Sequence, residues 1–295
     1  MKSINIQGVE IPMKEKGCLC DGKDSCWNGQ YVTINIYLTN KCNGSCKFCC
    51  NVDNNNFEFD LDKFYLFINE VVSKVAIKKI TFTGGETGLE IEKLEKCLEF
   101  IKTKTNAKTV VCTNGTLISE WHTHKDRNMV DRAIKMIDHI SVSRHHWDLD
   151  TNNAIIGLNY KGCRNNFLDN FPYMDKINIS CNLMKGYVDS KDKMYDILEW
   201  ASNSSIKEVA FVNIMAVNKW SEERKTDIDN LFDEKKVLKY CEWDYFVPNV
   251  CHCDNFVYRA KNSELIKFYI RNNLNSRFNK GSHIVWKYNM VQEWY

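Results

Sequence analysis

Cys42, Cys46 and Cys49 stand at the spacing C-x3-C-x2-C, with Phe48 just before the third thiol. Thiolates are soft ligands, and three this close in sequence can hold three irons of a [4Fe–4S] cube. A fourth cysteine at matching distance would close the cube as an electron carrier; three leave one iron open to bind a small molecule. The competing reading is a zinc knuckle drawing three of the four cysteines from Cys42 to Cys50. The thiols follow a strand-like run, Tyr31–Thr39, and lie in a loop from Asn40 to Asn51.

Further groups able to do chemistry fall where other strand-like runs end. The second run closes on Gly84, Gly85 and Glu86. Two glycines let backbone approach a ligand closely, and Glu86 adds a carboxylate, although a tight turn would use the same residues. The third ends in Thr113, Asn114 and Gly115, whose polar side chains could reach a ligand or form an Asn-Gly turn. The fourth reads HISVSRHHWD. Ser141 and Ser143 share a face by two-residue alternation, and Arg144, His145 and His146 leave the strand. Arg can clamp a carboxylate or phosphate, and His can move protons near neutrality. A solvated Arg-His-His loop is the plainer reading. The fifth sets Asn178, Ser180 and Asn182 on one face, a polar row suited to a ribose and costly to bury otherwise. The sixth carries Asn213 and Met215, with core packing and ligand contact equally open for the methionine.

The elements that would position these groups alternate. Strand-like runs at Tyr31–Thr39, Ile77–Thr83, Lys108–Thr113, Asp138–Arg144, Lys176–Leu183 and Glu208–Val217 are separated by segments of helical periodicity. These are Leu61–Val75, Ile91–Thr103, Arg127–Ile137, Ser190–Ser202 and Ser221–Lys239. Six such units predict an α/β fold, a partial (β/α)6 TIM-like barrel of parallel strands. Right-handed crossovers then place every strand's C-terminal end, and every motif above, on one face. Residues 1–30 read as a cysteine-bearing N-terminal extension, 31–239 as the core and 240–295 as a C-terminal cap or tail.

A net charge of +2 argues against a broad nucleic-acid or membrane surface, no apolar run reaches the length of a membrane span, and the first residues do not read as a signal peptide. Fourteen cysteines in that context point to a reducing, cytoplasmic compartment, with thiols kept for metal or chemistry. Cys97, Cys112 and Cys181 lie on periodic segments and read as packing; Cys50 reads as a spectator. Cys18, Cys20 and Cys26 before the core, with Cys241, Cys251 and Cys253 after it, could supply an auxiliary Fe–S cluster or zinc, with unligated thiols as the alternative. Cys163, in a loop, could return a hydrogen atom to a substrate radical.

This order of motifs resembles the radical S-adenosylmethionine (SAM) superfamily. The resemblance implies that the open iron takes the amino and carboxylate groups of SAM. An electron then splits SAM into methionine and a 5′-deoxyadenosyl radical that abstracts hydrogen from a substrate. It implies that Gly84–Glu86 meet the amino group, with Thr87 where the family usually has proline. Phe48, Thr113 and Asn114 would contact SAM, Ser141 its carboxylate or ribose, with Ser143 in the place of an aspartate, and Met215 its adenine. The order is similar to GTP 3′,8-cyclases and to peptide maturases across residues 31–220. A cyclase would be expected to end in Gly-Gly, whereas this sequence ends VQEWY, and the cysteine-rich C-terminal domain of many maturases is not evident. The leading expectation is modification of a ribosomally made peptide, by epimerisation, crosslinking or a similar C–H reaction, with flavodoxin or ferredoxin as reductant. A small metabolite or nucleotide held by Arg144 is the alternative, and a non-catalytic Fe–S or zinc protein a third.

Overall fold

The β-branched run Tyr31–Thr39 forms a nine-residue strand, as its composition requires, with Val32, Ile34, Ile36 and Leu38 fully buried. It belongs to a computed structural model that describes residues 3–13, 31–51, 57–158, 168, 170–226, 253–271 and 282–292. In chain order the strands and helices are β1 (Ser3–Ile6), β2 (Val9–Pro12), β3 (Tyr31–Thr39), α1 (Leu61–Lys74), β4 (Ala76–Gly84), α2 (Ile91–Lys104), β5 (Lys108–Thr113), α3 (Thr116–Thr123), α4 (Arg127–Met136), β6 (His139–Ser143), α5 (Leu149–Ile156), β7 (Ile177–Leu183), α6 (Lys191–Asn203), β8 (Glu208–Asn213), α7 (Lys219–Glu223), β9 (Cys253–Arg259), β10 (Leu265–Arg271), β11 (His283–Lys287) and β12 (Met290–Gln292). The chain divides into two compact units. One comprises residues 1–43, 51–140 and 279–295, the other residues 44–50 and 141–278, so both the thiol loop and β6 are divided between them.

In the first unit the strand order is β12-β11-β3-β4-β5. β11–β3, β3–β4 and β4–β5 are parallel, and β11–β12 is an antiparallel hairpin. Parallel neighbours need crossover helices, and α1 and α2 supply them. Asp60 caps α1 by accepting from the Lys63 amide, and the stripe Phe64, Phe67, Ile68 and Val71 is wholly buried. Burying those four side chains contributes an upper estimate of about 8 kcal/mol. Trp286 of β11 lies among Phe59, Phe64 and Phe67, stacking on the last at 5.7 Å.

In the second unit the order is β6-β7-β8-β10-β9, with β7–β8 and β8–β10 parallel and β9–β10 antiparallel. Alternation is clean on β7: Ile177, Ile179, Cys181 and Leu183 are buried, while Asn178, Ser180 and Asn182 face the other way and are half-buried. On β6, Ile140 and Val142 are buried and Ser141 and Ser143 half-buried.

The sequence reading found six of these strands. It did not find the β1–β2 hairpin, α3, α5, or the strands at 253–271 and 283–292 that extend each sheet. The sixth strand ends at Asn213, four residues earlier than predicted, so Met215 lies beyond it. Of the helix predicted at Ser221–Lys239, residues 221–226 are described, and α7 (Lys219–Glu223) starts two residues earlier and ends at Glu223. Cys97 and Cys181 are buried and Cys112 is half-buried, in keeping with packing. Cys18, Cys20, Cys26, Cys163, Cys241 and Cys251, and the side chain of Cys253, lie outside the described residues.

Candidate active site

The first arm of the thiol loop, Thr39 to Asn43, is built by the first unit. Gly84 and Gly85 end β4 against it: the Gly85 amide donates to the Thr39 carbonyl and the Glu86 amide to the Lys41 carbonyl, each at 2.7 Å. A Cβ on Gly84 would lie 2.2 Å from the Thr39 oxygen, and one on Gly85 would lie 2.0 Å from the Lys41 oxygen. Gly84 also has φ +133°. The paired glycines are therefore required by the close approach of two backbones, whatever they offer a ligand.

Glu86 is buried at 1% exposure, and its carboxylate is spent inside the unit. Oε1 accepts from the Gly88 amide (2.8 Å) and the Thr113 hydroxyl (2.6 Å), and Oε2 accepts from the Asn114 amide (2.7 Å). Burial raises its pKa from 4.5 to about 7, opposed by those three donors. Thr113, buried, also accepts from the Gly115 and Leu117 amides. Neither Glu86 nor Thr113 stands open for a ligand as the sequence suggested; both tie the ends of β4 and β5 together. Gly115, at φ +108°, makes the turn into α3.

Asn114 is turned toward the thiols. Its Nδ2 donates to Asn43 Oδ1 at 2.9 Å and lies 4.0 Å from Cys42 Sγ. Its Oδ1 accepts from the Thr116 amide and hydroxyl. Asn43 Nδ2 donates to the Thr116 hydroxyl at 2.9 Å.

The second arm, Ser45 to Phe48, is built by the second unit. The Ser45 amide donates to the Ile156 carbonyl at 2.9 Å, and Cys46 Sγ lies 3.3 Å from the same oxygen. Gly157 ends α5 at φ +68°, and a Cβ there would stand 2.1 Å from Ser45 Oγ. Asn218, the N-cap of α7, donates its Nδ2 to the Lys47 carbonyl at 2.8 Å. Phe48 packs against buried Ile155, Met184 and Ile214 beside Tyr187 and Trp220. Between Cys46 and Cys49 the backbone turns through the Cys49 amide to the Cys46 carbonyl.

His145 meets Phe48 edge-on at 5.0 Å and is almost fully buried. Its Nδ1 accepts from the Asn182 amide, which puts the proton of the neutral ring on Nε2. Burial, helped by neighbouring Arg144, lowers its pKa to about 3. The ring is a hydrogen-bond donor near neutral pH, not the proton carrier expected. Arg144 continues the buried side of β6: Nε and Nη2 donate to the carbonyls of His146 and Trp147, and its guanidinium lies 4.5 Å over Trp200 of α6. The sequence expectation that Arg144 binds a substrate or SAM carboxylate is not met, because alternation carries it to the helix-covered side. His146 stacks on Trp147 at 3.9 Å and accepts from the Asp148 amide. Its pKa is lowered, chiefly by burial. Ser141, Ser143, Asn178, Ser180 and Asn182 share half-buried faces of β6 and β7, and Met215 is half exposed.

Reasoning from sequence missed Asn43, Thr116, Ile156, Gly157 and Asn218 as holders of the loop. Gly157 had a signal, a glycine just after the apolar pair Ile155-Ile156, as at a helix C-terminus.

Cys42 and Cys49 are exposed and Cys46 half-buried on this braced loop. The donor set fits a three-thiolate iron–sulfur cluster, with an amide N–H beside one sulfur. Among the described residues no three His, Cys, Asp or Glu side chains gather as around a single ion. The thiols of a cube each hold a different iron.

A parallel α/β sheet with three thiols on the loop leaving a strand defines a class of iron–sulfur enzyme. The family model described as the radical SAM superfamily matches residues 36–231, more than half of the chain, and the chain belongs to that superfamily. It is 32% identical over 85 residues to the "Putative peptide biosynthesis protein YydG" of Bacillus subtilis (strain 168), covering 28% of this chain and 26% of that one. It is 23% identical over 216 residues to the GTP 3′,8-cyclase of Clostridium perfringens (strain 13), covering 70% and 63%. Streptococcus suis SuiB bound to its precursor peptide SuiA shares the fold, with TM-score 0.53 and 14% identity over 70% of this chain and 45% of that one. The chain thus spans less than two thirds of each of these relatives. The predicted fold class, an α/β partial barrel with parallel strands, and the enzyme assignment both stand. No helix among the described residues is long and apolar enough to cross a membrane.

Proposed function

We propose that this radical SAM enzyme acts on a ribosomally made peptide. Cys42, Cys46 and Cys49 would hold the [4Fe–4S] cluster, and the backbone of Gly84–Glu86 would meet the SAM amino group. When bound, cluster and SAM together supply the radical that abstracts hydrogen. The chain's own residues bind and orient. Ser141, Ser143, Asn178, Ser180 and Asn182 offer small polar groups for ribose and carboxylate, and Met215 an exposed thioether for adenine. His145 holds Phe48 edge-on, and Arg144 fixes the 146–148 turn that follows. His146, the less buried of the two histidines, is the one we assign to face substrate.

The observation that carries the reading is the loop itself: three thiols on a segment whose backbone is fixed at Thr39, Lys41, Ser45 and Lys47. The peptide assignment is supported by the likeness to YydG over 85 residues and by the fold shared with SuiB. A nucleotide substrate is favoured by the matches to GTP 3′,8-cyclases, each over 216 residues. A one-electron donor such as flavodoxin or ferredoxin, and a reducing, cytoplasmic setting, follow from the chemistry.

The test is anaerobic reconstitution followed by SAM and dithionite. The expected result is 5′-deoxyadenosine from wild type and none from the Cys42/Cys46/Cys49 triple alanine variant. Adding a peptide encoded by a short reading frame beside the gene is expected to raise the yield and change the peptide's mass. Stimulation by GTP with an unchanged peptide would replace the peptide reading with the nucleotide one.

A further inference from the structure

Asn43, Asn114 and Thr116 close a ring. Asn43 Nδ2 donates to Thr116 Oγ1 (2.9 Å), Thr116 Oγ1 donates to Asn114 Oδ1 (2.7 Å), and Asn114 Nδ2 donates back to Asn43 Oδ1 (2.9 Å). Every donor meets an acceptor in one direction around the ring. The Asn114 amide cannot flip without facing its Nδ2 toward two donors, because the Thr116 backbone amide also points at Oδ1 (3.1 Å). The Asn114 backbone is held independently through Glu86 Oε2. One amide hydrogen is thereby aimed along the loop arm, with Cys42 Sγ 4.0 Å from the nitrogen.

We propose that Asn43, Asn114 and Thr116 are positioning residues for Cys42, and that Asn114 is the N–H donor to the Cys42 sulfur. The proposal rests on the reading of Cys42 as a cluster ligand. It departs from the sequence expectation, in which Asn114 contacts SAM. Two consequences are physical. A ring that fixes the residue after Cys42 lowers the entropy of the loop that must receive iron, so it slows iron loss. An N–H beside a ligating sulfur stabilises the more negative, reduced cluster, so it raises the reduction potential.

The experiment uses the full chain, reconstituted anaerobically with iron and sulfide, with two readouts. The first is the rate at which bathophenanthroline disulfonate removes iron. Thr116→Val and Asn43→Ala are each expected to lose iron about fivefold faster than wild type, the factor of roughly one hydrogen bond. Thr116→Ser, which keeps the hydroxyl, is expected to lose it at the wild-type rate. The second is the midpoint potential from a paramagnetic-resonance redox titration. Asn114→Ala is expected to shift it negative, while Thr116→Val, which leaves the amide hydrogen in place, shifts it less. Variants matching wild type in both readouts would overturn the proposal. So would Thr116→Ser behaving as badly as Thr116→Val, since the methyl and not the hydroxyl would then matter. A wild-type chain that takes up no iron would instead end the reading of Cys42 beneath it.

Discussion

The two arms of the thiol loop are held by different physics. Around Thr39–Asn43 the first unit uses a buried carboxylate, two side-chain amides and two threonine hydroxyls, bonded to one another and to backbone amides. Around Ser45–Phe48 the second unit uses a helix-end carbonyl, a capping asparagine and an apolar pocket for Phe48. Each also places glycine where a side chain would strike the loop. The first arrangement sets an amide N–H beside a sulfur, at Cys42; the second sets a carbonyl oxygen beside one, at Cys46, and otherwise fixes where the backbone lies.

The sharpest way to break that contrast is Gly85→Ala. Its Cβ would meet a backbone oxygen at 2.0 Å with no flexible atom to yield, so a loss of about 3 kcal/mol or more is expected in thermal melts, with iron uptake abolished. Unchanged melting would mean that the close approach is not needed. Next comes pH. With its pKa raised by burial from 4.5 to about 7, Glu86 contributes stability in full below pH 4.5 and loses it as pH rises toward 7. Melts of the apo-protein between pH 4 and 8 should show that decline in wild type and a flatter profile in Glu86→Gln; parallel profiles would remove Glu86 as its source. Gly157→Ala, on the other arm, is expected to cost about 2 kcal/mol from its left-handed backbone and its contact with Ser45. It should speed iron loss while leaving the midpoint potential of the retained cluster in place, which separates it from Asn114→Ala. The smallest effect belongs to Asn218→Ala, about 1 kcal/mol for a lost cap, with faster iron loss as the accompanying sign.

Sequence made the scaffold legible where periodicity was strong. The run Tyr31–Thr39 is predicted and observed with the same bounds, and α1 differs by one residue at its end. It failed where elements are short or polar: α5, LDTNNAII, carries four adjacent polar residues and little apolar stripe, and α3 is only eight residues long. The thiols, the glycines and the shared face of Ser141 and Ser143 follow from spacing alone. The direction of Asn114 and Glu86 does not, because each has several partners within reach and only the packed ends of β4 and β5 select among them. Arg144 shows the same limit: the alternation that put the two serines together also sends the next even-numbered residue to the covered side, against the pull of its charge.

One pairing bears on how the molecule is made. β3 lies between β4 and β11, and Thr33 meets His283 across 250 residues of chain, its hydroxyl 2.7 Å from the ring nitrogen. At ribosomal rates that partner emerges roughly 12 to 50 seconds later. Throughout that interval the first strand of the core carries an unsatisfied, sticky border during synthesis, a natural target for chaperones in the cell.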